Sequence, residues 1–413
     1  MEALPTYVLT IRLQCSELQN TLPGIFLDPD SSQYDQLIND RWSGTSVLHP
    51  GCVVLAQSAE DVSKAMKAIV ANGCEFAVRG GGHNANKGAN SIDCGVSIDL
   101  SRLNHTALAS DRSFVSLGAG TTWGQAYNAF NSSNIGFPGG ICEDVSVGGI
   151  SLGGGQSLFQ PKVGWVVDNI LNYELVLASG EIVNANQTSR ADLFKALKGG
   201  NTNFGIVTKV DLAAFEFDGL WGGEIFVSLH GPGPTPRDEI VDKITQATVD
   251  FTAANHLDPD SGVQLMTAYL SNSRDRLVVA AFGNTKGVEN PPSLQPFAAL
   301  PNQIRKTAGY IKLADFVHQV SELQPKGFRE VTASITISND FATLREIWDA
   351  TDAVFKALPR KEEVDWMVSF LPQPKIQQSF AALRGGNSLG LEDVEEDQIG
   401  KPLPFYPISR DTN

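Results

Sequence analysis

Three clusters of glycine in the first half of the chain, each beside a short apolar segment, constrain its fold more than any other feature. They lie at residues 79–83, 148–155 and 199–205. A backbone without Cβ atoms can approach a phosphate closely, and its successive N–H groups can point at one anion. No GxGxxG pattern stands where a strand passes to a helix, and no GxxxxGK[ST] loop occurs. The clusters therefore favour a phosphate-bearing cofactor outside the Rossmann and P-loop folds; the alternative is that they only form tight turns.

The first glycine cluster follows a predicted β-α-β unit. An apolar segment at 52–56 predicts a buried strand. Ser58 is placed to cap the next helix, and Gly73 stands where a C-terminal glycine belongs. Residues 76–78 predict the second strand, which leads directly into the glycine loop. Further predicted elements are strands at 96–100, 114–117 and 206–212, a helix from the Thr122/Gln125 capping box, a hairpin at 175–183 and a helix at 190–197.

The second half of the chain has a different pattern. Its predicted strands mix apolar and polar residues, as in an antiparallel sheet with one solvated or ligand-facing side. These strands are predicted at 224–229, 263–270, 276–282 and 331–338, with helices at 238–254 and 341–358.

The composition excludes several classes of protein. The chain has 413 residues, a length that predicts two or three domains. With 31 basic and 46 acidic residues its formal charge is −15, whereas binding to nucleic acid or to an anionic membrane needs a basic surface. No apolar run reaches the ~18–20 residues of a membrane span, and no signal peptide is visible. None of the five cysteines forms a CxxC pair, which argues against a structural zinc site.

His83 is the sharpest candidate for chemistry. It is one of only six histidines, and it lies in a glycine loop instead of on an apolar face. A neutral imidazole nitrogen at this position is a competent nucleophile beside a bound cofactor. The alternative is an ordinary hydrogen-bonding or surface histidine.

The residues around His83 carry a family resemblance. Segment 76–104, FAVRGGGHNANKGANSIDCGVSIDLSRLN, resembles the flavin-binding loop of the berberine-bridge-enzyme-like FAD oxidases, which belong to the vanillyl-alcohol-oxidase/PCMH flavoprotein superfamily. Segment 144–186, which begins DVSVGGISLGGGQS, resembles the second block of that family. Segment 192–215, DLFKALKGGNTNFGIVTKVDLAAF, resembles the third. The resemblance is to the fungal type and runs in order from about residue 15 to 392.

The resemblance implies an α+β fold. We expect an N-terminal lead-in over 1–45 and a two-lobed PCMH-type FAD-binding domain over 46–217. A substrate domain over 218–392 would carry an antiparallel sheet flanked by helices, followed by an atypical tail over 393–413.

The resemblance also implies how FAD is held. His83 matches the histidine that carries the flavin through its 8α-methyl carbon. The loop around the pyrophosphate matches Arg79, Gly80, Gly81, Gly82 and Asn84. The second part of the cradle matches Val145, Val147, Gly148, Gly149, Gly153 and Gly154. Contacts near the end of the flavin domain match Ile206 and Val207.

Three cysteines match positions of known chemistry in the family. Cys142 falls where bicovalent members carry the cysteine bonded to flavin C6, although its neighbours Glu143 and Asp144 look like the monocovalent fungal form. A second covalent bond and a buried free thiol therefore both stay open. Cys15 and Cys74 match a disulfide pair of secreted relatives.

The implied activity is that of an FAD-dependent oxidoreductase. Hydride would pass from an alcohol, a saccharide or a secondary-metabolite ring to flavin N5, and dioxygen would reoxidise the flavin. We expect a monomer that uses a small-molecule substrate and has no metal site, nucleic-acid partner or membrane span.

The resemblance stops before the end of the sequence. Family members continue past the motif at 385–392 with a helix and a tyrosine-containing strand, whereas 401–413 match nothing in the family. The substrate-side tyrosine that often acts as base has no counterpart, so the catalytic base is unassigned. An open sheet edge and slow turnover are expected. The alternative function is a truncated, non-catalytic remnant that binds flavin weakly or not at all.

Overall fold

A computed structural model describes residues 15–231, 233–269, 276–323 and 326–403. Within these ranges no helix is long and apolar enough to cross a membrane. Residues 15–21 are helical. The α-helices that follow are α1 (Tyr34–Asn39), α2 (Ala59–Asn72), α3 (Trp123–Phe130), α4 (Val147–Ile150), α5 (Gln160–Val163), α6 (Ala191–Gly200), α7 (Arg237–Ala254), α8 (Gln295–Ala298), α9 (Leu313–Ser321) and α10 (Phe341–Ala357).

The first sheet contains the predicted β-α-β unit. Its order is β1-β2-β4-β3, with β2, β4 and β3 parallel and β1 antiparallel to β2. The Oγ of Ser58 accepts a hydrogen bond from the N–H of Asp61 at 3.1 Å, and Gly73 ends α2 at φ +61°, which confirms both capping predictions. The strands are β1 (Phe26–Leu27), β2 (Cys52–Leu55), β3 (Phe76–Arg79) and β4 (Val96–Asp99).

The second sheet is antiparallel, in the order β5-β6-β10-β8-β9. The predicted capping box at the start of α3 is present, with reciprocal hydrogen bonds between Thr122 and Gln125. The strands are β5 (Thr106–Leu108), β6 (Phe114–Gly118), β8 (Ile170–Val176), β9 (Ile182–Asn186) and β10 (Ile206–Ala213), with a separate pair formed by β7 (Ile135–Gly136) and β11 (Phe215–Glu216).

The third sheet is built from the second half of the chain. Its order is β15-β12-β14-β13-β18-β19-β17, and β16 also pairs with β12. These pairs are antiparallel, as expected from the sequence. The strands are β12 (Leu220–Ser228), β13 (Ser261–Tyr269), β14 (Arg276–Asn284), β15 (Gln303–Lys306), β16 (Gly309–Ile311), β17 (Ala333–Ser338), β18 (Trp366–Gln373) and β19 (Gln398–Leu403).

The two faces of the third sheet belong to different cores. Ile225 and Val278 pack with α7 and α10 in one buried cluster. Leu220 and Ala281, on the opposite face, join the cluster that fills the first two sheets. Helix α9 also buries its apolar side in that first core, next to α3. The third sheet therefore presents one face to the glycine-rich half of the molecule.

Strand β19 includes the first residues of the segment that matches nothing in the family. It pairs with β17 on one side and β18 on the other, while β15 and β17 stand at the edges of this sheet. The expectation that the missing family segment leaves a sheet edge open therefore stays a prediction. Hydrogen bonding from both neighbours outweighs the weak strand propensity of QIGKPL. Residues 404–413 lie outside the described residues, and the predicted domain boundaries stay predictions.

The predicted disulfide between Cys15 and Cys74 is wrong. Cys15 is bonded to Cys52, with 6.0 Å between the two Cα atoms. Both bonded residues are buried in the first core, where β2 places Cys52 beneath the N-terminal helix. Cys74 is a free, half-buried thiol just beyond the end of α2, and burial raises its pKa.

Residues 384–388, late in the chain, return to the first half of the molecule. The Arg384 guanidinium donates to the carbonyl of Asp168 at 3.1 Å, and Asn387 donates to the Asp168 carboxylate at 2.7 Å. The buried Lys198 ammonium donates to the Arg384 carbonyl at 2.8 Å, while the Ser388 N–H donates to the Lys198 carbonyl at 2.7 Å. These bonds fasten the end of the second half to the third glycine cluster.

Candidate FAD and substrate site

The first glycine loop starts where β3 ends. The Arg79 guanidinium donates to the carboxylates of Asp99 at 2.9 Å and Asp40 at 2.5 Å, and its side chain is 4% exposed. It therefore points into the protein, away from a cofactor at the loop. The two ion pairs hold the side chain of Arg79 in place at the start of the loop, and its predicted role around the pyrophosphate stays a prediction.

The second glycine loop lies directly against the first. The N–H of Gly81 donates to the Oγ of Ser146 at 2.8 Å. A Cβ on Gly81 would lie 2.7 Å from the Ser146 nitrogen and 2.9 Å from the Asp144 carbonyl oxygen, and a Cβ on Gly80 would overlap the Ser146 hydroxyl. The two predicted loops are thus brought together, and their contact requires glycine.

The far side of the second loop is open. The N–H of Gly148 is bonded to the Ala119 carbonyl at 3.0 Å, which anchors the start of α4 beside β6. A Cβ on Gly149 would meet nothing within 4 Å, and one on Gly153 would meet only the Gly149 carbonyl at 3.6 Å. Gly154 takes a left-handed φ of +109°. The loop therefore forms a backbone surface with room for a ligand beside it.

The remaining predicted contacts occupy different surroundings. Val147 is fully buried, whereas Val145 is half-buried and packs at the edge of the first core. Asn84 is exposed, and its carbonyl accepts from the Ser46 hydroxyl at 2.6 Å. Ile206 and Val207 are buried at the start of β10, a strand that packs against α4.

His83 lies under an aromatic ring at the end of the first loop. Its imidazole stacks on Trp42 with the ring centroids 5.7 Å apart and an angle of 10° between the planes. Burial lowers the pKa of His83 to about 4, against the partly offsetting charge of Asp144. Its Nε2 is buried and has no hydrogen-bond partner among the described residues. His83 is thus neutral at physiological pH, as a nucleophilic imidazole must be.

Cys142 opens the second loop and keeps a half-buried thiol outside the disulfide. The residues after it are tied to the second half of the chain. The Glu143 carboxylate lies 3.0 Å from the Nδ1 of His318 on α9, and Asp144 forms an ion pair with Lys326 at 3.0 Å. The loop position therefore depends on both halves of the molecule.

A cleft lies between the second loop region and the third sheet. Its empty space is about 630 Å³ and opens to solvent. Its apolar walls include Ile141, Leu158, Phe316, Ala281 and Leu371, and its polar side chains are Gln156, Ser157, Gln160, Asn255, Gln264 and Gln377. Among the residues that the structure describes, no charged side chain lines the cleft, so it suits a neutral ligand with apolar surface and a few hydrogen-bonding groups.

Glu224 is a candidate that sequence reasoning missed. It pairs across β12 and β14 with Ala281, and Ala281 pairs with Gln264, so the three side chains share the face that lines the cleft. Glu224 is 2% exposed, its Oε1 has no hydrogen-bond partner among the described residues, and burial raises its pKa. The sequence signal that could have indicated Glu224 is a single carboxylate within the otherwise largely apolar strand segment LWGGEIFVS.

Trp42 was missed for a different reason. It lies in the predicted lead-in, and nothing in its local sequence indicates a contact with the glycine loop. Only the tertiary fold brings it to His83.

The contact between the two glycine loops and the cleft walled by the third sheet agree with the FAD-binding fold that the resemblance implied, and comparison with known proteins identifies the class. A family model described as an FAD binding domain matches residues 50–186. The FAD-dependent monooxygenase sdcF of Emericella nidulans is 32% identical over 394 residues, which cover 94% of this chain and 80% of that protein. The FAD-dependent monooxygenase tpcD of Cochliobolus heterostrophus is 32% identical over 358 residues, 84% of this chain and 67% of that protein.

Solved structures agree on the fold. 6-Hydroxy-D-nicotine oxidase from Arthrobacter nicotinovorans superposes with a TM-score of 0.77 at 21% identity, covering 95% of this chain and 82% of that one. Xylooligosaccharide oxidase from Myceliophthora thermophila C1 gives 0.75 at 17% identity, covering 97% and 84%. The chain belongs to the vanillyl-alcohol-oxidase/PCMH family of FAD-dependent oxidoreductases, as the resemblance implied.

Proposed function

We propose that this chain is an FAD-linked oxidase or dehydrogenase of a neutral small molecule, with the flavin bonded to His83. The observation that carries the proposal is the neutral imidazole of His83, whose buried Nε2 has no hydrogen-bond partner among the described residues, beside two glycine loops that a Cβ would push apart. Bound FAD would accept a hydride from an alcohol, saccharide or secondary-metabolite substrate and would be reoxidised by dioxygen. The chain's own residues bind the cofactor, fix its position and exclude water.

The loops supply backbone groups to the pyrophosphate. The segments 80–84 and 145–149, with Gly153 and Gly154, would line the pyrophosphate, and the space beside Gly149 and Gly153 is open. The N–H groups of Gly81, Val147 and Gly148 are bonded within the protein and hold the two loops in place. The Ser146 hydroxyl, which now accepts from Gly81, can turn toward a phosphate because a hydroxyl both donates and accepts.

The tether would form by C–N bond formation between the lone-pair nitrogen of the His83 imidazole and the flavin 8α carbon. The imidazole would lose the proton of its other nitrogen and the 8α-methyl group one proton, and the two electrons released would reduce the flavin, which dioxygen would reoxidise. Cys142 is a candidate for a second bond, to C6, by the same electron balance. A Cys142 thiol that is not bonded to the flavin is the competing state.

The cleft favours a neutral substrate with apolar surface. Its walls combine aliphatic and aromatic side chains with neutral amides, and Gln160 and Gln377 already bond to each other at 2.6 Å. A charged substrate would lose its hydration without gaining an ion pair there. Among the candidate classes, an aromatic or alicyclic alcohol therefore fits the walls better than a free sugar.

His83→Ala tests the tether. Acid-precipitated wild-type protein should stay yellow and its band on a denaturing gel should fluoresce in acid, whereas the variant should release all flavin. His105→Ala, an exposed histidine of the same half, is the matched control and should keep the bond. A fluorescent His83→Ala band that persists in the double variant with Cys142→Ala would refute the assignment. Anaerobic flavin bleaching with aromatic alcohols and with sugars then tests the substrate class.

A further inference from the structure

Residues 40–46 form a segment that covers the His83 loop. Trp42 is 6% exposed and stacks in parallel on the imidazole. Its backbone N–H donates to the Gly82 carbonyl at 3.2 Å, one residue before His83. The Ser46 hydroxyl donates to the Asn84 carbonyl at 2.6 Å, one residue after it. The segment thus holds the loop on both sides of His83 as well as from above.

The same segment is fixed from its other side by residues 327–330. The N–H of Gly327 donates to the Trp42 carbonyl at 2.9 Å, and the N–H of Gly44 donates to the Phe328 carbonyl at 2.7 Å. The Ser43 hydroxyl accepts from the N–H of Glu330 at 3.0 Å. Trp42 therefore sits between the flavin half and the second half of the chain, with little freedom to move.

We propose that Trp42 is a positioning residue for covalent flavin attachment, holding the His83 imidazole in one plane against the glycine loop. The inference rests on the proposed tether through His83. A histidine in a glycine loop would otherwise sample several rotamers, and bond formation needs the nitrogen held at the carbon it attacks. The indole also keeps water from one face of the imidazole.

Trp42 has a second effect, through solvation. Desolvation by burial is the largest cause of the lowered pKa of His83; of the charged groups facing it, Asp144 and Asp40 raise the pKa, whereas Lys326 and Arg79 lower it further. Without the indole, water reaches the ring and the pKa moves toward the ordinary value of about 6.5. Attachment then becomes slower at pH 6 than at pH 8, because the protonated imidazole has no lone pair to form the bond.

The test measures the rate of covalent attachment, with FAD as the probe. The full chain, produced flavin-free from riboflavin-starved cells, is mixed with FAD, and acid-stable flavin is followed over time at pH 6 and pH 8. We expect Trp42→Leu to bind FAD but to attach it about tenfold more slowly or worse, with the deficit larger at pH 6. Trp42→Phe, which keeps an aromatic face, should restore most of the rate. Trp221→Leu, a similarly buried tryptophan of the second core, should attach at the wild-type rate.

The outcomes separate the two proposals. If flavin still attaches when His83→Ala is combined with Cys142→Ala, the proposed tether is wrong. If His83→Ala attaches none but Trp42→Leu attaches at the wild-type rate at both pH values, the tether stands and the role of Trp42 is overturned. A Trp42→Leu deficit matched by Trp221→Leu, or one not restored by Trp42→Phe, would also overturn it by indicating general loss of packing.

Discussion

The Nδ1 of His318 lies 3.0 Å from both carboxylate oxygens of Glu143 and so joins α9 to the residue that follows Cys142. The N–H of Glu143 also donates to the Ser321 hydroxyl, one turn further along the helix, at 2.6 Å. Two contacts with α9, a helix about 175 residues later in the sequence, thus set the position of the second glycine loop. The position of this loop therefore depends on residues outside the segment that matches the FAD binding domain.

The Glu143–His318 pair predicts a pH dependence of stability. The hydrogen bond and charge of Glu143 raise the pKa of His318. The stabilisation is therefore complete below the ordinary histidine pKa of about 6.5 and is lost as pH rises through the raised value. His318→Gln should remove the corresponding fall in melting temperature between pH 6 and pH 9. An unchanged slope in that variant would contradict the pairing, and Glu143→Gln should behave like His318→Gln.

The contact between the glycine loops predicts a specific rescue. Gly80→Ala should weaken FAD binding and lower the melting temperature, because its methyl group overlaps the Ser146 hydroxyl. Adding Ser146→Gly removes that hydroxyl and should restore both properties. Gly81→Ala meets backbone atoms of residues 144 and 146, so the same second change should not rescue it. Flavin titration and thermal melts measure both pairs, and equal rescue of Gly81→Ala would contradict the geometry.

The disulfide assignment predicts which cysteine contributes to the stability of the oxidised protein. Cys52→Ala should lower the free energy of unfolding of oxidised protein by about 2–4 kcal/mol, because the bond closes a loop between residues 37 apart. Cys74→Ala is the matched control and should cost far less, since Cys74 is a free thiol. Peptide mapping should recover a Cys15–Cys52 linked pair. Recovery of Cys15 linked to Cys74 would reverse the assignment.

Glu224→Gln should stabilise the protein at neutral and higher pH. Burial raises the pKa of Glu224, so the folded state binds its proton more tightly than the unfolded state and loses stability as pH rises above about 4.3. The neutral amide avoids this cost, with a gain on the order of 1 kcal/mol at pH 8 that shrinks toward pH 4. Denaturant unfolding at pH 4 and pH 8 measures this gain in the free energy of unfolding. Glu216→Gln, at an exposed position, should leave the free energy of unfolding unchanged at both pH values.

Local patterns predicted the first half of the molecule well. The apolar segment before Ser58, the glycine after α2 and the Thr122/Gln125 box are short-range signals, and the structure confirms each. The glycine loops could be predicted because two backbones can approach closely only where the residues are glycine, and clustered glycines are visible in the sequence. These features are encoded within a few residues of where they occur.

Other features had no local signal. The stacking of Trp42 on His83 and the pairing of β19 between β17 and β18 arise from tertiary contacts alone. The cysteine pairing was inferred from relatives, yet three cysteines lie around one core and sequence spacing cannot choose among them. That Glu224 shares a sheet face with the cleft residues Ala281 and Gln264 became evident only from the strand register.

The return of residues 384–388 to the first half has a consequence for biosynthesis. Asn387, which completes the hydrogen bonding of Asp168, leaves the ribosome 219 residues after it. At a synthesis rate of about 5–20 residues per second, roughly 10–40 s pass between the synthesis of Asp168 and that of Asn387. Until then Lys198, beside the third glycine cluster, lacks its hydrogen bonds to the Arg384 carbonyl and from the Ser388 N–H. The hydrogen bonding of Asp168 and Lys198 is accordingly completed only after nearly all the described chain has been translated.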